Sequence, residues 1–118
     1  MNRIKRHLLS YKYAARGIWL ALALDQNMRI HAMVTIAVVF MNYFLDISRI
    51  DWIVSLMLIG LVWMAEIFNT AIERLADRVS RERHVLIAQA KDMAAGAVLI
   101  ICVFAAICAI FIYSRYLL

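Results

Sequence analysis

The chain has 118 residues, 66% of them apolar, with no proline and three glycines, and its mean hydropathy is +0.80. That composition excludes an intrinsically disordered chain and a collagen-like or linker-rich one, and it is more apolar than a soluble domain of this size needs. Thirteen Lys and Arg stand against eight Asp and Glu, a formal charge of +5; on a soluble protein this would raise nucleic acid as a partner, but here the charges are segregated, and the expected class is a small all-α integral membrane protein.

Residues 4–24 predict an amphipathic helix. At 100° per residue, Ile4, Leu8, Tyr11, Ala15, Ile18 and Leu22 fall within about 40° of one line, with Lys5, Arg6, Lys12 and Arg16 on one flank and the back. Such a basic amphipathic segment lies in the headgroup plane. After Gly17 the stripe gives way to an apolar half, residues 18–24, expected to pack against other helices; a plain membrane anchor is the alternative. Asp25, Gln26, Asn27, Met28, Arg29 and His31 follow as a polar hinge, read as a connector, with ligands at the membrane surface as the alternative. The three histidines are scattered and no cysteine lies near them, so no zinc spacing is present.

Residues 32–45, 52–65 and 93–114 contain no Asp, Glu, Lys or Arg. The last run has 22 residues, enough for a bilayer that takes about 20. The other two have 14 each and extend through helix-compatible neighbours. The expected architecture is one membrane domain over 1–118, with a surface helix at 4–24 and transmembrane spans at 30–46, 52–74 and 91–114. With the N-terminus cytoplasmic, eleven cations fall inside and two, Arg49 and Arg115, outside, a strong positive-inside bias. No cleavable signal pattern is expected at the basic start, and the bilayer is expected to be a cytoplasmic membrane.

The second span carries Glu66, Asn69, Glu73 and Asp77, at helical angles of about 0°, −60°, −20° and +20°. One face therefore presents three carboxylates and an amide at the end expected to be cytoplasmic. Glu66 follows fourteen uncharged residues and is expected below the headgroups, where a carboxylate is costly and marks function by default; a salt bridge or hydrogen bond to another helix is the structural alternative. Three acids on one face repel unless a cation or proton sits among them, and magnesium suits carboxylate oxygens shared with phosphates.

Residues 78–90, with Arg81, Glu82, Arg83 and His84, read as a solvated loop that sets topology. The third span opens with Lys91, Asp92, Met93, Ala94, Ala95, Gly96 and Ala97, small residues that let helix backbones approach closely, and Ala105 and Ala109 repeat the small-xxx-small spacing. Lys91 and Asp92 point about 100° apart, so one of them can reach the acidic face. Cys102 and Cys108 are about 120° out of phase, cannot pair with each other, and read as packing thiols. Carboxylates and cations at a membrane interface suit phosphoryl transfer, with acids holding magnesium, a cation meeting phosphate and one carboxylate taking a proton from an attacking alcohol. They also suit a proton-coupled carrier. No phosphate-binding glycine loop occurs, so spacing alone names neither.

Ala65-Glu66-Ile67-Phe68-Asn69-Thr70-Ala71-Ile72-Glu73, then Asp77, then Ala90-Lys91-Asp92-Met93-Ala94, resembles the bacterial diacylglycerol kinase and undecaprenol kinase family. The likeness runs from about residue 5 to about residue 105, through Gly17, Asp25 and Met28-Arg29, without a gap. The resemblance implies a three-span membrane kinase, assembled as a homotrimer in the bacterial cytoplasmic membrane. Its sites would form between neighbouring chains at the cytoplasmic face, and it would use ATP and magnesium to phosphorylate a lipid alcohol. By motif match it implies Glu66 as general base and Glu73 as magnesium ligand. Asn69, Asp77, Glu82, His84, Lys91 and Asp92 would shape the nucleotide site. Arg6 and Tyr13 would lie near nucleotide or lipid, with Arg6, Glu66 and Arg29 toward the lipid substrate. The family commonly has a glutamate before its Phe-Arg pair as a second magnesium ligand. This chain has Asp25 there, one methylene shorter, so Gln26 or a water could share the role. Ile72-Glu73-Arg74-Leu75-Ala76-Asp77 and Ala94-Ala95-Gly96-Ala97-Val98-Leu99 look closer to the undecaprenol kinase branch, with diacylglycerol as the alternative substrate. The rival classes are a small multidrug-type transporter, which typically has four spans and one essential Glu in the first, and a holin-like structural oligomer.

Overall fold

The computed structural model describes residues 2–79 and 84–118. The described residues form four helices: α1 (Arg3–Leu24), α2 (Gln26–Phe44), α3 (Arg49–Val79) and α4 (Val85–Leu117). Two of them, α3 and α4, are long and apolar enough to cross a membrane. They lie antiparallel as the most extensive contact in the molecule, α2 packs on α3, and α1 touches α2 and α3.

The polar residues decide where helices begin. Asn2 caps α1 by accepting the Lys5 amide at 2.9 Å. Asp25 alone separates α1 from α2: its extended backbone donates to the Ala21 carbonyl at 2.9 Å, while its Oδ1 accepts the Asn27 amide at 3.0 Å. Arg29 then reaches back to the last carbonyls of α1, at 3.1 Å to Leu22 and 2.9 Å to Ala23, groups that a helix end leaves without partners. Residues 26–31 are therefore not a connector but the opening turns of α2. The expected loop at 78–90 also shrinks, because α3 continues through Val79 and α4 starts at Val85 behind the His84 cap. Polar residues mark where a helix leaves an apolar phase, and Arg, Lys, Gln and Glu continue a helix as readily as Leu does.

The thickness is 21 Å, against 51 and 44 Å in the other two directions, and the radius of gyration is 17.6 Å, where a compact soluble domain of this length has about 13–14 Å. Large apolar side chains face outward along the long helices, Phe68, Leu99 and Phe104 among them, while Ala21, Met28, Ile47, Ala76, Ala94 and Ile112 form the small apolar interior. The apolar half of α1 follows the same rule: Ala21 is buried, but Ile18, Trp19 and Leu24 are exposed. Ala94 alone of the small residues opening the third apolar run is buried, and a Cβ added at Gly96 would meet nothing within 4 Å. The close approach expected there is not made inside one chain. Cys102 and Cys108 are both free thiols.

One end of the helix pair is locked by a buried carboxylate. Asp51, 4% exposed at the start of α3, accepts from the Arg115 guanidinium on both oxygens, at 2.5 and 2.6 Å, and from the Tyr116 hydroxyl at 2.6 Å. Tyr116 in turn accepts the Ser48 amide at 2.9 Å, which ties the α2–α3 turn to the end of α4. Asp46 occupies the left-handed region in that turn, φ 49°, a conformation that Asp tolerates better than most residues. Nearby, Asn42 is fully buried and accepts the Tyr113 hydroxyl. The Tyr116 hydroxyl is the largest influence on Asp51, and with Ser48 and Arg115 it holds the carboxyl below its ordinary value of 3.8 against the opposing effect of burial.

A carboxyl depressed in the folded state stabilises the fold above its unfolded pKa and loses that contribution as pH falls through the folded value. Asp51→Asn is therefore expected to lower the melting temperature in detergent by several degrees at pH 5 and above. The gap from wild type should close as pH drops below about 3.8. A gap that persists unchanged into acid would contradict the assignment, and thermal melts across pH read it directly.

Candidate active site

The other end of the helix pair gathers most of the acidic residues. Glu66 lies a little past the middle of α3 and is 2% exposed. Its Oε2 is 3.5 Å from Nε2 of His31 on α2. The Asp25 carboxyl, from the α1–α2 junction, lies next to the Glu66 carboxyl. Asp25 is held there by Thr70, one turn beyond Glu66 on α3, whose hydroxyl donates to Asp25 Oδ2 at 2.7 Å. Burial opposes the Asp25 charge. The bonds from Thr70, Glu66 and the Asn27 and Met28 amides outweigh it, and the carboxyl stays below its ordinary range.

The acidic face divides in two. Glu66 and Asn69 are buried, whereas Glu73 and Asp77 are exposed. Asp77 receives the Lys91 ammonium of α4 at 2.8 Å, so Lys91 reaches the acidic face and Asp92 points into solvent. The expected mutual repulsion is thus relieved by spacing and by Lys91: eleven residues separate Glu66 from Asp77, about 16 Å along the axis. His84 is exposed and its Nδ1 caps α4 by accepting the Leu86 amide at 3.2 Å. Glu82 lies outside the described residues. Arg29 is occupied with the α1 carbonyls. Arg6 and Tyr13 are exposed on α1, about 27 and 17 Å along that helix from Leu24, and this chain does not bring them to its own Glu66.

Among the described residues, no three His, Cys, Asp or Glu side chains converge closely enough to hold a metal ion. The donor set nevertheless suits a hard cation: Asp25 is a charged carboxylate, Glu73 is an exposed one two turns beyond Glu66, and Asn69, 8% exposed one turn from Glu66, has a buried Oδ1 with no partner among the described residues. Magnesium commonly takes only one or two protein carboxylates and completes its shell with phosphate and water.

A groove of about 250 Å³ opens beside His31 and runs between α2, α3 and α4 toward Tyr113. The polar groups in its wall are bonded within the protein. The Thr35 hydroxyl donates to the His31 carbonyl at 2.7 Å and accepts Trp63 Nε1 at 2.8 Å, Ser55 donates to the Asp51 carbonyl at 2.7 Å, and Tyr113 donates to Asn42. What the groove offers an occupant is apolar surface.

His31 and Thr70 are the residues that sequence reasoning missed. A lone imidazole at the edge of an apolar run was the available signal for His31. Thr70 carried none beyond lying one turn from Glu66.

The sequence model of the prokaryotic diacylglycerol kinase family matches residues 12–113. The chain is 39% identical over 106 residues to an undecaprenol kinase of Bacillus subtilis, covering 90% of this chain and 84% of that protein. It is 33% identical over 95 residues to a diacylglycerol kinase of Escherichia coli K12, covering 80% and 78%. It is 38% identical over 101 residues to a diacylglycerol kinase of Synechocystis, covering 85% of this chain but 58% of that longer protein. The chain belongs to the prokaryotic diacylglycerol kinase family and is a membrane-bound lipid kinase.

Proposed function

We propose that this chain phosphorylates undecaprenol, or a similar polyprenyl alcohol, at the cytoplasmic face of the bacterial inner membrane, with α2, α3 and α4 as three transmembrane spans and α1 on the surface. The observation that carries the reading is Glu66: a buried carboxylate beside Asp25 and 3.5 Å from His31, the residue that lines the near end of an apolar groove. Counted from Trp52 at 1.5 Å per residue, Glu66 lies about 21 Å along a hydrocarbon core of about 30 Å, Glu73 near its far edge and Asp77 beyond it. That is the depth at which a lipid hydroxyl meets a phosphate arriving from water. The 19 residues of α2 rise about 28 Å, close to the same thickness.

The roles follow from position. Glu66 takes the proton from the lipid hydroxyl as it attacks, and the hydrocarbon chain leaves along the groove. Asp77, Lys91, Asp92 and His84, at the end that projects past the core, face the nucleotide, with Lys91 meeting phosphate charge; Glu82 is assigned to the nucleotide by the family motif alone. Asp25 and Glu73 would hold magnesium, with Asn69 Oδ1 as a further oxygen donor, and the ion would neutralise phosphate charge there. Arg6 and Tyr13 sit too far along α1 to serve their own chain's Glu66, which supports a site completed by a neighbouring copy in a homotrimer, as does the apolar surface each chain leaves outward. Undecaprenol is favoured over diacylglycerol by the Bacillus relative, more alike over more of the chain than the Escherichia one. Diacylglycerol is the second reading, favoured by the names of the family and of the other relatives.

Purified protein given undecaprenol and diacylglycerol side by side, with γ-labelled ATP and magnesium, should label undecaprenol with the higher kcat/KM; transfer to diacylglycerol alone would reverse the substrate reading, and transfer to neither would remove it. Glu66→Gln should cost about 10²–10⁴-fold in kcat, the usual worth of a general base, with ATP binding retained. An active variant would refute the role. Glu73→Gln should move the half-saturating magnesium concentration upward, and an unchanged titration would count against Glu73 as a ligand.

A further inference from the structure

We propose that His31 is a positioning residue for Glu66: its Nε2–H fixes one carboxylate oxygen, Oε2, and leaves the other to meet the lipid hydroxyl at the mouth of the groove. This rests on the reading of Glu66 as the base. His31 belongs to neither the acidic face of α3 nor the motif that carried the resemblance.

Three observations converge. First, the 3.5 Å approach joins a side chain that is 20% exposed to one that is 3% exposed, so His31 links a closed carboxyl to the open groove. Second, His31 is itself held. Thr35, one turn further along α2, donates to the His31 carbonyl, and Trp63, three residues before Glu66 on α3, donates to Thr35. That relay sets the register of α2 on α3 at the level of the pair. Third, His31 is the donor in its surroundings. Among the described residues, Asp25 from the α1–α2 junction lies beside Glu66, and Glu73 on its own helix and Cys102 on α4 are within electrostatic reach. The two carboxylates add negative charge, and a thiol is a weak donor. An imidazole N–H offsets that charge and gives the carboxylate a defined orientation.

Without that contact the carboxylate can turn toward other partners, and small misplacements of a reacting group cost about 10²-fold in rate. The experiment compares His31→Leu, His31→Gln and His31→Asn with wild type and Glu66→Gln. Each is assayed for kcat, for KM of ATP and of the lipid alcohol, and for melting temperature. A Gln amide nitrogen reaches the Nε2 position and an Asn nitrogen only the Nδ1 position. His31→Leu and His31→Asn should therefore lose about 10²-fold in kcat with KM for ATP unchanged, while His31→Gln recovers most of it. Equal loss in Gln and Asn, full activity in Leu, or a loss confined to KM for ATP would overturn the proposal. If Leu fails to fold, the Gln and Asn pair still decides. An active Glu66→Gln variant would instead remove the base reading beneath it. A dead Glu66→Gln beside a fully active His31→Leu would remove the His31 role alone.

Discussion

A carboxylate in an apolar helix has to be given polar neighbours before that helix can sit in hydrocarbon, and the arrangement around Glu66 follows from that constraint. The nearest water-facing end of α3 is more than a turn away, so the neighbours come from elsewhere in the chain. Asp25 arrives because a single residue breaks α1 from α2 and Thr70 holds its carboxyl against α3. His31 arrives because α2 starts at Gln26, more than a turn before it is needed, and because Thr35 and Trp63 fix how far along α3 it lies. Removing the Asp25 break would continue α1 into α2 and take both partners away from Glu66 at once. An isolated buried charge costs several kcal/mol even after relaxation, so the junction and the buried acid depend on each other.

The far end of the bundle serves the same geometry. Asp51 clamps Arg115 and Tyr116, at sequence separations of 64 and 65, and pins α3 against α4 by their outer ends. Helices of 31 and 33 residues that are registered at one end are registered at the other, and Lys91 meets Asp77 there. The two ion pairs bound a slab that is about two helices thick and apolar outside, which suits lipid on one face and further copies of the chain on another.

The apolar runs made the helices legible in the sequence, since a charge-free stretch of 14 to 22 residues has few other uses. Their ends were not legible. Gln26, Asn27 and Arg29 look like a connector by composition, yet Asp25 caps them into a helix; Arg78 and residues 85–90 look like loop, yet they extend α3 and α4. Polarity reports the surrounding solvent, while capping and backbone bonding decide helicity. Glu66, Asn69, Glu73 and Asp77 were visible as one face through their three- and four-residue spacing, but their division into buried and exposed pairs needed the neighbouring helices. Asp25 beside Glu66, and His31 opposite it, join residues 41 and 35 apart in sequence, and no spacing rule reaches that far.

If chemistry happens at the Glu66 end of the helix pair, the Asp51 end only holds the helices in register. The most direct measurement uses a polyprenyl alcohol with a photoreactive group next to its hydroxyl, cross-linked to the protein in vesicles and mapped by mass spectrometry. Cross-links on α2 and α3 near His31, Glu66 and Asn69 are the predicted result. Labelling concentrated at Ser48, Asp51 and Arg115 would place the acceptor hydroxyl at the wrong end and contradict it.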